Sequence, residues 1–147
     1  MRYKLDSKGL SLKISNNILL AIYDQARDAF PNETGGMLAG RYIDSNTAIV
    51  EYLVKSKKNI GSTTSFVRRA DGIDEEWARL KENNCEYLGE WHSHPNGSVY
   101  YSTVDSNAMI NIANDENVLI KNPLLLIVSL DKCTIKNHGV YFYDLAN

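Results

Sequence analysis

Cysteine is scarce. There are two, Cys85 and Cys133, in neither metal-ligand nor redox spacing, so both are expected to be reduced and packed, with one disulfide as the alternative. No apolar run approaches the ~20 residues that a membrane-spanning helix needs. The opening Met1-Arg2-Tyr3-Lys4-Leu5-Asp6 lacks the apolar core of a signal peptide, so a cytoplasmic protein away from membranes is expected. An excess of positive charge is also missing. Sixteen Lys and Arg stand against eighteen Asp and Glu, a net charge of −2, and no bulk basic field recruits nucleic acid. The order His-Glu-x-x-His does not occur, which excludes the helical zinc-protease motif. Internal repeats, low-complexity tracts and interdomain linkers are absent as well.

What is present suits one folded unit over residues 1–147. The 44% hydrophobic and 23% charged composition is an ordinary soluble balance with enough apolar material for a sizeable core. Leu10 to Ile14 alternates as a strand. Ser15 or Asn16 then caps a helix running to about Phe30, with Leu19, Ile22, Tyr23, Ala26, Ala29 and Phe30 as its apolar face. Met37–Ile43 and Ala48–Val54 read as two strands joined by the turn residues Asp44-Ser45-Asn46. Residues 55–64 read as a polar loop, with Lys55, Lys57 and Lys58 as a solvated cluster. A short strand at 65–68 and a helix from Asp71 to about Asn83, striped by Ile73, Trp77 and Leu80, follow. Further on, a helix is expected from Ser102 to about Asn114, with Met109, Ile110 and Ala113 inward. Pro123–Ser129 is continuously apolar, as in a strand buried on both faces. Thr134–Lys136 leads to a turn containing His138, read as an exposed loop side chain, before a last strand at Gly139–Tyr143. This order predicts an α/β (α+β) domain, a mixed sheet with helices against it.

The chemistry concentrates in Gly89-Glu90-Trp91-His92-Ser93-His94-Pro95-Asn96-Gly97 and Ser102-Thr103-Val104-Asp105. Only three histidines exist in the chain, and two of them stand here, one residue apart. On an extended strand, residues i and i+2 share a face, so His92 and His94 leave it together. Pro95 ends the strand and Asn96-Gly97 turns the chain back. Ser102 is placed to cap a helix whose first turn carries Asp105. Taken singly, Ser102 to Asp105 is only a capping arrangement, and His-x-His only a pair of packed or exposed histidines. Together, two imidazoles and a carboxylate make a three-ligand metal site with a fourth position for water. Thiolate-free, nitrogen-rich ligation suits zinc best, with iron, cobalt and nickel as competitors. Glu90 shares the histidine face and is a rival ligand or a partner of the ligands. Hydrolysis also needs a general base. Glu33, in Phe30-Pro31-Asn32-Glu33-Thr34-Gly35-Gly36-Met37-Leu38-Ala39-Gly40, is the candidate, although its local sequence alone reads as a solvated loop glutamate. Gly35 and Gly36 point to a close backbone approach or a bulge.

Glu33, then His92-x-His94-Pro95, then Ser102-x-x-Asp105, resembles the JAMM (MPN+, or JAB) metalloproteases. The Glu-Thr-Gly-Gly-Met-Leu-Ala-Gly block adds to the match, and no motif residue departs from the catalytic pattern. The resemblance implies one zinc ion on His92, His94 and Asp105, with Glu33 as general acid/base and Ser102 steadying the oxyanion. It also implies a curved sheet in an α-β-α sandwich of cytidine-deaminase-like type. The implied substrate is a ubiquitin-like protein, or a protein conjugated in a ubiquitin-like way, cut at the amide bond after its C-terminal tail. Gly-Glu-Trp-His-Ser-His-Pro looks most like bacterial members encoded with activating and conjugating enzymes. Some of these serve antiphage operons, removing a conjugated nucleotidyltransferase from its target, while related members act on sulfur-carrier proteins or cysteine adducts. A non-catalytic MPN binding module and a small-molecule amidohydrolase are the alternatives.

Overall fold

The computed structural model describes residues 2–5, 9–54, 60–61, 66–67, 74–113, 122–132 and 134–143. In chain order the elements are β1 (Arg2–Leu5), β2 (Leu10–Ile14), α1 (Asn16–Ala29), β3 (Gly35–Tyr42), β4 (Thr47–Val54), β5 (Ile60–Gly61), β6 (Phe66–Val67), α2 (Asp74–Glu82), β7 (Glu86–Pro95), α3 (Thr103–Ala113), β8 (Leu124–Asp131) and β9 (Thr134–Phe142). Among the described residues, seven strands form one sheet in the order β1-β2-β4-β3-β7-β8-β9, and β5 pairs with β6 separately. The β2–β4 and β7–β8 pairs are parallel and the other pairs in the large sheet antiparallel. The sheet is therefore mixed, as expected. Register shifts on both sides of Ala39 and at Ser129/Leu130 add local twist, as bulges do.

Helices cover both faces. The Ser15 side chain accepts from the Ile18 amide at 3.2 Å and caps α1. Leu19, Ile22 and Ala26, at helical spacing, are buried against Leu12, Leu38, Leu88, Trp91, Leu124, Leu126 and Val128. Each large aliphatic side chain so placed contributes about 1.5–3 kcal/mol. On the other face Leu80 of α2 packs with Met37, Ala39, Val54 and Cys85, and half-buried Trp77 packs against them. Met109 of α3 packs with Leu125 and Ile127. This is the expected α-β-α sandwich, and β8 is buried on both faces because its alternate residues enter different layers. No described helix is long and apolar enough to cross a membrane.

The structure differs from the sequence expectation in places. β1 is an added strand, paired antiparallel with β2. β5 lies within the span read as a loop; residues 55–59 and 62–65 fall outside the described residues, as do Ile73 and Cys133. Ile110 is 39% exposed rather than inward, and Ile112 packs beneath the sheet instead. His138 is not in a turn: β9 runs unbroken through it, pairing Val128 with His138. Its Nδ1 meets the Tyr23 hydroxyl at 3.0 Å, so the polar run that looked like a turn is the half-exposed face of an edge strand.

Candidate functional site

β7 is held on both sides, antiparallel to β3 and parallel to β8. Alternation along it sends Trp91 into the layer beneath α1 and leaves His92 and His94 on the α3 side, where both meet Asp105. The strand ends at Pro95. Asn96 then takes a left-handed φ of 56°, its amide donates to the Leu130 carbonyl at 2.6 Å, and the Gly97 amide donates to the His94 carbonyl at 3.2 Å. The turn expected from Asn96-Gly97 is thus pinned to the end of β8.

The returning chain enters α3 through a reciprocal cap. The Asp105 amide donates to Ser102 Oγ at 3.0 Å, and the Ser102 amide donates to Asp105 Oδ2 at 3.0 Å. The capping reading of Ser102-x-x-Asp105 is therefore met, and the cap leaves Asp105 facing the histidines. Capping fixes the carboxylate, and because Ser102 Oγ accepts from the backbone, its own proton remains available to donate outward.

The buried Asp105 carboxylate divides between the imidazoles. Oδ1 lies 3.2 Å from His92 Nδ1 and Oδ2 lies 3.1 Å from His94 Nε2. Burial alone would raise the Asp105 pKa, but the hydrogen bonds with His92, His94 and the Ser102 amide prevail and hold it well below the usual carboxylate range. His94 Nδ1 stands 2.9 Å from the Ser98 carbonyl, which can only accept, so Nδ1 carries the hydrogen. A neutral His94 then presents a lone pair at Nε2 to the Asp105 oxygen. Two acceptors at that distance need a proton or a cation between them. Burial lowers the His94 pKa, and the contacts with Asp105 and Ser98 reverse this and raise it. Proton or cation, the place is built for positive charge, and the imidazole-carboxylate donor set suits a zinc-like ion.

Glu33 joins this group from the β3 side. One ligand atom from each of Glu33, His92 and Asp105, all buried, lies within 4.8 Å of the others. His94 stands outside that trio and is tied to it through Oδ2 of Asp105. The solvated-loop reading of Glu33 fails, since the residue is 6% exposed. Burial raises its pKa, with His94 and His92 pulling it part of the way back. The close backbone approach expected at the glycines is real: a Cβ at Gly35 would stand 2.2 Å from the Trp91 carbonyl oxygen and 3.0 Å from His92 Cδ2. Glu90 is buried and its carboxylate takes the Tyr87 hydroxyl at 2.6 Å; it is not in the trio.

Sequence reasoning passed over Ser93. It is fully buried, its Oγ accepts from the Thr34 amide at 2.9 Å, and its amide donates to the Thr34 carbonyl at 2.8 Å. A signal existed, because the alternation that exposes two histidines on one face buries the residue between them on the other, where a hydroxyl needs a partner.

Comparisons with known proteins bear on this arrangement. A family model described as prokaryotic homologs of the JAB domain matches residues 15–142. A CD-NTase/cGAS isopeptidase of Enterobacter hormaechei subsp. hoffmannii (strain UCI 50) is 32% identical over 123 residues, covering 82% of this chain and 68% of the relative. A probable metalloprotease, y4qB, of Sinorhizobium fredii (strain NBRC 101917 / NGR234) is 24% identical over 124 residues, 78% of this chain and 73% of that protein. Among solved structures, protein DSY2949 from Desulfitobacterium hafniense has a TM-score of 0.60 at 22% identity, covering 92% of this chain and 91% of that one. AF2198, a JAB1/MPN domain protein from Archaeoglobus fulgidus, has a TM-score of 0.51 at 17% identity, covering 91% and 94%. At these identities the structural likeness speaks to the fold.

Proposed function

Because the chain belongs to the family of prokaryotic homologs of the JAB domain, we propose that it is a zinc-dependent isopeptidase. It would cut the amide bond joining the C-terminal tail of a conjugated protein to an amine on its target. The observation that carries this reading is the meeting of Glu33, His92 and Asp105, from three separate stretches of chain, with ligand atoms within 4.8 Å. Relatives named as an isopeptidase and a probable metalloprotease support the reaction class. The first, by its name, also supports a conjugated-protein substrate with a nucleotidyltransferase among the candidates; conjugation in a ubiquitin-like way, and activating and conjugating enzymes as functional partners, complete the proposal.

His92, His94 and Asp105 would hold the ion. Zinc in such a ligand set supplies Lewis acidity, polarising a carbonyl and lowering the pKa of a water to about 7. The protein's own groups divide the remaining work. Glu33 takes a proton from the attacking water onto its carboxylate and returns one to the departing lysine amine, so that acid and amine leave together. Burial raises its pKa, which favours its accepting that proton. Ser102 donates its hydroxyl proton toward the oxygen on which negative charge develops. Asp105 keeps both imidazoles oriented, and the Ser98 carbonyl keeps His94 in the tautomer with Nε2 facing inward.

The test is incubation of the purified chain with isopeptide-linked conjugates, with and without chelator, the products being read by mass spectrometry. Scission at the isopeptide bond, abolished by chelator and restored by zinc, is expected. Scission that survives exhaustive chelation would overturn the metal-dependent reading. Cleavage of small amides alone would favour an amidohydrolase, and no cleavage of either would leave a binding module.

A further inference from the structure

We infer that Ser93 is a positioning residue, one that sets the general base Glu33 in place from the opposite face of the sheet. The inference rests on the catalytic role proposed above for Glu33. Gly35 pairs with His92. Counting back along an antiparallel pair puts Thr34 opposite Ser93 and Glu33 opposite His94. The regular pairing stops at Gly35, however, and Glu33 precedes the strand. What continues the alignment is Ser93. Its amide donates to the Thr34 carbonyl at 2.8 Å. Its hydroxyl accepts from the Thr34 amide at 2.9 Å and lies 3.3 Å from the Thr34 carbonyl, to which it can donate. Both polar groups of the Thr34 backbone are thus held by one buried residue.

The geometry makes the hydroxyl specific. Cross-strand neighbours share a face, so Ser93 and Thr34 lie together beneath the sheet while His94 and Glu33 rise on the other side. The link from Ser93 to the carboxylate runs through one residue of backbone. Without the hydroxyl, the Thr34 amide loses this partner in a buried setting; the Ser93 amide keeps the Thr34 carbonyl, so the segment that carries Glu33 is held less tightly just ahead of Gly35. His92, His94 and Asp105 are unaffected, because β7 keeps β8 and the Asp105 carboxylate keeps its cap. The hydroxyl therefore acts on proton transfer and not on metal retention.

Ser93→Ala, Glu33→Gln and the double variant are compared with the parent on the same conjugate, alongside metal content by native mass spectrometry. Ser93→Ala is expected to keep full metal, to lower kcat about tenfold and to change KM less than about twofold. In the Glu33→Gln background the same change should alter the residual rate less than about twofold, since the group it positions is already gone. A similar loss in both backgrounds, or loss of metal in step with activity, overturns the inference. Should the alanine variant not fold, the pair Ser93→Thr and Ser93→Val, nearly equal in volume and differing in the hydroxyl, carries the comparison, with threonine expected to be the more active. If the parent cleaves no conjugate, the proposed function falls and a crystal structure of Ser93→Ala decides alone. A Glu33 carboxylate displaced from His92 and Asp105, which it now approaches within 4.8 Å, supports the inference, and one left in place overturns it.

Discussion

Gly35→Ala should damage both stability and catalysis although the glycine itself carries no reacting group. The added Cβ would lie 2.2 Å from the backbone oxygen of Trp91 and 3.0 Å from His92 Cδ2. Ordinary van der Waals contact begins at about 3.4 Å, so β3 and β7 must part locally by about 1 Å. The obstacle is backbone in the middle of the sheet, and no side chain can swing aside. Overpacking of this kind costs about 1–3 kcal/mol. For a domain near this size that lowers Tm by about 2–4 °C per kcal/mol, or about 2–12 °C in all. Because the displacement falls between Glu33 and His92, kcat should drop by up to about a hundredfold at a temperature where the variant remains folded. Gly9→Ala is the control. Gly9 has φ +67° and nothing within 4 Å of its would-be Cβ, so that variant should lose about 1 kcal/mol of stability and keep its turnover. Thermal melts and steady-state rates on one conjugate measure both. A Gly35→Ala protein with parental Tm and kcat would refute the close approach on which the site is argued.

Glu33→Gln should retain metal and lose turnover a hundredfold or more, measured by metal analysis beside single-turnover rates; retained turnover would remove Glu33 from proton transfer. Asp105→Asn removes the charge facing both imidazoles and should lower metal affinity at least tenfold in a competition titration against a chromogenic chelator; unchanged affinity would leave Asp105 a cap only. Without metal, stability should depend on pH in a defined direction. The raised pKa of His94 contributes stability fully present below the free imidazole value of about 6.5 and lost as pH rises through its folded value. The depressed pKa of Asp105 contributes stability present above about pH 4 and lost as pH falls through its folded value. Relative to His94→Gln, the metal-free parent should therefore lose Tm from pH 6 to 8, a comparison that cancels the opposite contribution of His138, whose pKa burial lowers, and zinc should reverse the trend because it binds the deprotonated imidazole. A parent-minus-variant Tm difference flat across that range would contradict the His94–Asp105 geometry.

Much of this arrangement is legible in the residues because the relevant rules are local. A His-x-His ahead of Pro95 reports a shared strand face, and Ser102 three residues before Asp105 reports a helix start. The α1 stripe of Leu19, Ile22 and Ala26 is equally local. Glu33 is different: nothing in its neighbourhood says that it is buried beside histidines some sixty positions later, and only resemblance to a family placed it there. The strand order β1-β2-β4-β3-β7-β8-β9 was not legible, since it is set by which faces must be covered rather than by any one segment. His138 was misread because Lys136-Asn137-His138-Gly139 is as polar as a turn. An edge strand with one face toward water needs no better pattern. Ser93 is not legible in this way because it lies buried on the face away from the histidines, where its partner, the Thr34 backbone, is far off in sequence.

The groups gathered at this site stand on unequal footings. The imidazoles belong to a strand with neighbours along both edges, the part of a sheet that opens least often. Asp105 stands on the first turn of a helix whose start rests on the reciprocal Ser102 cap, with exposed Asn107 and Ile110 following. Any ion seated there would be gripped firmly from below and loosely from one side. Its departure would begin with unwinding of that turn, so the lifetime of the loaded enzyme would be governed by how often one short helix frays at its start.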